Sequence, residues 1–426
     1  TINHAGVGTQ STCRIPYFIY FHTLSTALHG LTTVGKYIMF SSMGLWDYLK
    51  NRELKRLGED RYILCLDGGG MRGVIPATIL GHIETLLREL GDDRPLYSHF
   101  DLIAGTSTGG LIALALTAPK SEGSLMPLKQ SPTQDPKVEG KGWGKRRLDI
   151  PADPGPDIKR IVDIYLKYGH IIFPKSQSLF QLHMINQLFT QKYDDGSFNQ
   201  LLHDIFADTT IGKALTPTMV VTYDYSNNRP YILSNYGTPE IPIRVAARAT
   251  SAAPTYFSPT SVFDVASEQQ ISLIDGGVVA NNPVLYAYRE AKKLYPEAKR
   301  FHVLSLSTAS SPPQKIDSDK PGSGFISWLD PAKGTPIYRI YASSQMQTSS
   351  EIAAVIEDLD YVRIHGDLGR KVKMDETNPA VLSQMIQTAD KIFADNKSKI
   401  KEFCEAFTER PQHPPRFTQS SARGSA

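Results

Sequence analysis

The sequence predicts an α/β protein with a mainly parallel central sheet and helices on both faces. Short apolar runs alternate with helix-period segments from Arg61 onward. Glycine clusters stand at two strand-to-helix turns, at 68–70 and 105–110. The chain has 426 residues, 41% of them hydrophobic and 21% charged, which is ample for a large core and excludes disorder for most of it.

"YILCL" at 62–66 reads as the first strand, and the helix begun by Pro76 runs through Leu90. "FDLIAG" is a second strand and "GGLIALAL" a second helix. Residues 120–157 are rich in Pro, Gly, Ser and charge without periodicity, so they predict a long mobile surface loop. Helices near 157–168 and 197–207 follow. "TMVVTYDYSNNRPYILSNY" then gives two strands joined at Asn227 to Pro230, with Tyr223, Tyr225 and Tyr231 read as sheet packing. Next come a helix over 243–252, the strand "ISLID", a helix over 282–294 and the strand "FHVLSLS". The α/β unit is expected to close near Thr308. Beyond a Pro- and Ser-rich linker, the remainder reads as helical and ends in a long amphipathic helix over 378–407. No internal repeat is visible.

Two readings compete for "DGGGMRG". Gly68, Gly70 and Gly73 satisfy the G-x-G-x-x-G spacing of a dinucleotide loop. That reading also wants an acidic residue at the end of the next strand, about 20 residues on. Glu89, Asp92 and Asp93 fall instead at a helix end and in a turn. "GTSTGG" decides between them: Gly105, Ser107 and Gly109 form G-x-S-x-G between a strand and a helix, the context of a nucleophile elbow. A serine nucleophile needs backbone N–H groups for the oxyanion, and Gly68, Gly69 and Gly70 supply them without side chains in the way. The same loop that suits pyrophosphate suits an oxyanion. No histidine sits in a site-like turn; His170, His203 and His302 lie in apolar or helical patterns and read as ordinary, partly buried residues. "ISLIDGG" places Asp275 at a strand end followed by Gly276 and Gly277, where groups of open α/β sheets gather. A carboxylate is a weak base in water, so burial must raise its pKa or a short hydrogen bond must hold the serine to it.

The charge balance, 46 basic against 43 acidic side chains for a net +3, permits an anionic membrane surface and does not argue for nucleic acid. Cys13, Cys65 and Cys404 are far apart, without a C-x-x-C pair, which suggests neither zinc nor a disulfide framework and fits a reducing compartment. No Lys, Arg, Asp or Glu occurs between Arg14 and Lys36, but His22, His29 and several hydroxyls make 15–35 too polar for a convincing membrane span. A packed N-terminal helix or hairpin is the expectation, with interfacial contact through Tyr17, Phe18, Tyr20 and Phe21 as the alternative.

With these residues in place, the sequence resembles the patatin-like phospholipase family. "DGGGMRG" is similar to that family's oxyanion loop, "GTSTGG" to its nucleophile elbow and the "DGG" of "LIDGGVVANNP" to its second dyad residue, in the family's order, between Arg61 and Thr308. "ARATSAAPTYFSP" at 247–259 resembles the stretch preceding the dyad aspartate. The resemblance implies a three-layer α/β/α catalytic domain over 61–308; 1–60 and 309–426 depart from that minimal domain and read as an N-terminal extension and a mainly helical cap or regulatory segment. It implies a lipid acyl hydrolase without metal or cofactor, with Ser107 as nucleophile, Asp275 as base, Gly105 and Gly109 in the elbow, and Gly68, Gly69, Gly70 and Arg72 as the oxyanion region. Membrane phospholipids are the implied partners and a cytoplasmic, peripherally membrane-associated protein the implied setting, with oligomers admitted and no nucleic acid polymer. Some bacterial antiphage relatives have this layout with a cyclic nucleotide activator, which Arg370, Lys371 and Lys373 could bind, although a solvated basic loop is the plainer reading. An esterase or thioesterase for soluble acyl esters and a silent lipid-binding protein are the rivals.

Overall fold

The computed structural model describes residues 59–119, 158–173, 193, 195–312 and 336–408. The 15–35 stretch, Cys13 and the 120–157 loop of the sequence reading lie outside the described residues. In chain order the elements are β1 (Asp60–Leu66), α1 (Val74–Glu89), β2 (Leu102–Thr106), α2 (Thr108–Thr117), α3 (Ile158–Ile172), α4 (Asp195–Phe206), β3 (Thr218–Asp224) and β4 (Arg229–Ser234). They continue with α5 (Ile243–Thr250), β5 (Thr260–Asp264), β6 (Gln269–Asp275), α6 (Val284–Leu294), β7 (Arg300–Leu306), α7 (Pro336–Ala353), β8 (Leu359–Ile364) and α8 (Pro379–Thr408).

One sheet holds all eight strands in the order β5-β6-β3-β2-β1-β7-β8, with β4 also on β3. β3, β2, β1, β7 and β8 run parallel to one another, while β4 and β6 pair antiparallel with β3 and β5 antiparallel with β6. The α/β class with a mainly parallel sheet is therefore observed. β1 shows why its run is apolar throughout: Tyr62, Leu64 and Leu66 pack with Ile75 and Ile79 of α1, and Ile63 and Cys65 pack with Val284 and Ala287 of α6 on the other face. A strand covered on both sides has no polar face to alternate with.

The sheet does not end at β7. β8 pairs with it from Phe301↔Leu359 to Leu306↔Ile364, a strand that the helical reading of 309–426 lacks. Its sequence, "LDYVRI", carries Asp360 and Arg363, and only its two end residues are buried; at the sheet edge a short half-exposed strand leaves a weak pattern. The long terminal helix does form, and Leu382, Met385, Ala389, Ile392, Ile400 and Phe403 place its apolar stripe in the same core cluster as α1. Tyr225 differs from the sheet packing expected of it, being 63% exposed at the β3–β4 turn. No helix among the described residues is long and apolar enough to cross a membrane.

β3 has a feature that sets up everything below. β4 pairs along one edge of it, from Met219 to Asp224. The other edge is shared: β2 pairs with Thr218 to Val221, and β6 pairs with Thr222 to Asp224. β2 and β6 therefore meet end to end, with Thr106 opposite Val221 and Asp275 opposite the next residue, Thr222. Both chains must peel away from β3 at that point.

Candidate active site

The first chain to peel away is β2. Ser107 follows its last residue and caps α2, with φ 54° and ψ −124°, a backbone state that costs a non-glycine residue about 1–3 kcal/mol and that surrounding structure must enforce. Two glycines make the turn possible by close approach. A Cβ on Gly105 would lie 2.2 Å from the Gly109 carbonyl oxygen, and one on Gly109 would lie 2.2 Å from that of Leu66. The Ser107 N–H donates to Thr250 Oγ1 at 3.0 Å, and Thr250 in turn donates to the Val221 carbonyl at 2.7 Å.

β6 peels away through Gly276, where a Cβ would meet the Val221 carbonyl at 2.2 Å. The result is direct contact: Ser107 Oγ donates to Asp275 Oδ2 at 2.7 Å, and the Gly277 N–H donates to Oδ1 at 2.7 Å. Ser107 is 7% exposed and Asp275 2%. Burial pushes the Asp275 carboxyl up to about 6, against the pull of the Ser107 hydroxyl and the Gly277 amide. β6 is antiparallel, so Asp275 reaches this place because its strand stops beside Thr222, and not as one of the strand ends of a parallel sheet expected from the sequence. The three histidines lie elsewhere. His302 is partly buried between Asp60 and Asp360, but His170 and His203 are exposed, which corrects the reading of them as partly buried.

The glycine loop lies against this pair, a Cβ on Gly68 falling 3.2 Å from that of Ser107. Its N–H groups divide by role. Gly68 donates to the Asn281 carbonyl at 3.0 Å and Met71 to the Met374 carbonyl at 2.7 Å. Among the described residues the amides of Gly69 and Gly70 have no acceptor, and Gly70 lines the cavity with Ser107. Gly70 has φ +60°, and a Cβ on it would sit 2.3 Å from the Met374 carbonyl. Of the four residues predicted for the oxyanion region, only Gly69 and Gly70 thus present free donors. Arg72 is turned back on the loop, its Nε and Nη1 each 3.3 Å from the carbonyls of Gly69 and Ala309.

Several residues that hold this loop were not singled out by sequence reasoning. Asn281 Nδ2 and Thr308 Oγ1 both donate to the Gly68 carbonyl, at 3.2 and 2.8 Å. Asp67, fully buried, is forked by Arg363 of β8: Nη1 reaches Oδ1 at 2.8 Å and Nη2 contacts Oδ2. Nη1 also reaches Ser305 Oγ at 2.7 Å. Burial pushes the Asp67 carboxyl up, and Arg363 opposes it. Nothing local in "LDYVRI" marks Arg363 as a partner of Asp67.

Ser107 opens into a cavity lined by apolar side chains such as Leu111, Ile172, Phe173, Phe198, Tyr256 and Phe257. A buried hydroxyl–carboxylate pair with free amides beside it, at the end of an apolar chamber, can acylate and deacylate. Arg370 donates to Gln384, and Lys371 and Lys373 are exposed on the segment leading to Met374. Among the described residues no cluster of His, Cys, Asp and Glu could hold a metal ion.

The profile of the family described as Patatin-like phospholipase matches residues 64–288. Patatin-like protein 2 of Arabidopsis thaliana is 33% identical over 363 residues, covering 78% of this chain and 82% of that protein. Patatin-like protein 3 of Arabidopsis thaliana is 31% identical, with 72% of this chain and 75% of its own length covered. Patatin-17 of Solanum cardiophyllum is 26% identical over 79% of this chain and 84% of its own. These three relatives are plant proteins.

Proposed function

The chain belongs to the patatin-like phospholipase family, and on that premise we propose that it cleaves fatty-acyl esters of membrane glycerophospholipids through an acyl-enzyme on Ser107. The observation that carries this is the 2.7 Å hydrogen bond from Ser107 Oγ to the buried Asp275 carboxylate. As Oγ attacks the ester carbonyl, Asp275 takes its proton. The amides of Gly69 and Gly70 receive the oxyanion, and the apolar cavity takes the acyl chain. The proton on Asp275 then goes to the departing alkoxide. Water, activated by the same carboxylate, attacks the acyl-enzyme and releases the fatty acid.

Burial makes Asp275 a stronger base than a free carboxylate, and this has a consequence in pH. Activity requires the ionised form, so kcat/KM should rise tenfold per pH unit on the acid side and level off above about 6. A limb centred near 4 would mean that another group, or an unburied carboxylate, is the base.

The reading is tested by fatty-acid release from mixed phospholipid vesicles, together with a fluorophosphonate probe and peptide mapping of the adduct. Release with the probe on Ser107 supports it. Release with the adduct elsewhere overturns the assignment, and hydrolysis confined to short soluble esters favours the esterase rival. A panel of cyclic nucleotides belongs in the same assay, because Lys373 adjoins Met374, whose carbonyl holds the glycine loop. Release that depends on one of them would make 370–374 a control point for the site.

A further inference from the structure

Ser251 lines the cavity, and its buried side-chain oxygen has no hydrogen-bond partner among the described residues. It is 8% exposed and closes the C-terminus of α5. Its neighbours are each tied to one half of the reactive pair: Thr250 Oγ1 accepts the Ser107 N–H at 3.0 Å, and the Ala252 carbonyl accepts the Asp275 N–H at 3.0 Å. Ser251 is therefore held beside Ser107 and Asp275 by a side-chain bond at Thr250 and a backbone bond at Ala252, while its own hydroxyl stays unused among the described residues. A hydroxyl buried in an apolar wall without a partner costs stability, and packing does not return that cost. A polar atom of a bound ligand would.

An ester brings two oxygens into this chamber. The carbonyl oxygen has the amides of Gly69 and Gly70; the bridging oxygen has no donor from that loop. We propose that the Ser251 hydroxyl donates a hydrogen bond to the bridging oxygen of the scissile ester and stabilises the charge that grows there as the C–O bond breaks. This rests on the hydrolase reading above and adds a substrate contact to it. In the step, the electron pair of the breaking C–O bond stays on the leaving oxygen, the oxyanion collapses to the acyl-enzyme carbonyl, and the proton that Asp275 took from Ser107 moves to the leaving oxygen. Ser251 keeps its own proton throughout.

The test compares an oxygen ester with the thioester of the same acyl chain, because sulfur is a poor hydrogen-bond acceptor. kcat/KM is read, since it reports the steps up to acylation. Ser251→Ala should lower kcat/KM for the oxygen ester by about 10- to 100-fold, the scale of one hydrogen bond to a charged group, and leave the thioester within about threefold. Its melting temperature should equal or exceed the wild-type value. Equal losses on both substrates would mean a structural role and overturn the assignment, as would no loss on either. A wild type that hydrolyses neither substrate would overturn the hydrolase reading itself and the Ser251 contact with it.

Discussion

Replacing Asp275 with asparagine should abolish turnover and make the protein more stable at neutral pH. Asparagine can keep the geometry, accepting from Gly277 with its oxygen and facing Ser107 with its amide, but it cannot take a proton. Fatty-acid release should fall by roughly 10⁴-fold or more. Ser107→Ala should lose as much, and the double variant little more, because the two groups act on one proton. The stability gain comes from linkage. The folded-state pKa of Asp275 is raised from 3.8 to about 6, so its contribution is fully present below about 3.8 and is lost as pH rises through 6. Keeping the buried carboxylate ionised at neutral pH costs about 3 kcal/mol. Denaturation of wild type and Asp275→Asn should therefore differ at pH 8 and converge near pH 3.5. A variant less stable than wild type at pH 8, or one that retains turnover, would remove Asp275 from its role as a buried base.

Arg363→Ala should unfold the protein in part, although Arg363 does not line the cavity. It leaves Asp67 buried without its partner at the root of the glycine loop. Breaking a buried pair from one side costs about 3–5 kcal/mol. Asp67 is followed at once by Gly68 and Gly69, so the loop should shift and fatty-acid release should fall with the denaturation midpoint. The double variant Asp67→Asn with Arg363→Met removes the buried charge and should recover most of the midpoint. Release should stay low, since the fork that positions the loop is gone. An Arg363→Ala protein with wild-type midpoint and wild-type turnover would show that the fork is dispensable.

Local chemistry was legible in the sequence and long-range partnership was not. The strand–glycine–helix units around Gly68 and Ser107 announce themselves because a tight turn needs small residues at fixed offsets. Asp275 could be found because Gly-Gly after a strand is a local signal too. Arg363 could not, since what matters about it is a carboxylate 296 residues away. The free amides likewise depend on what already occupies their neighbours: Gly68 looks equivalent to Gly69 and Gly70 in sequence, yet the Asn281 carbonyl has claimed its N–H group. β8 escaped for a different reason, as an edge strand half in water shows neither alternation nor a solid apolar run.

The shared edge of β3 has a mechanical meaning. Ser107 and Asp275 are 168 residues apart in the chain, but their spacing is measured on a ruler two rungs long, Val221 and Thr222. The length of the chain that connects them does not enter into that measurement. Insertions at the β5–β6 turn should leave the reactive pair in place, so that turn can diverge while the ruler cannot. A slip of β6 by one residue along β3 would carry Asp275 about 3.3 Å away and turn its side chain to the other face.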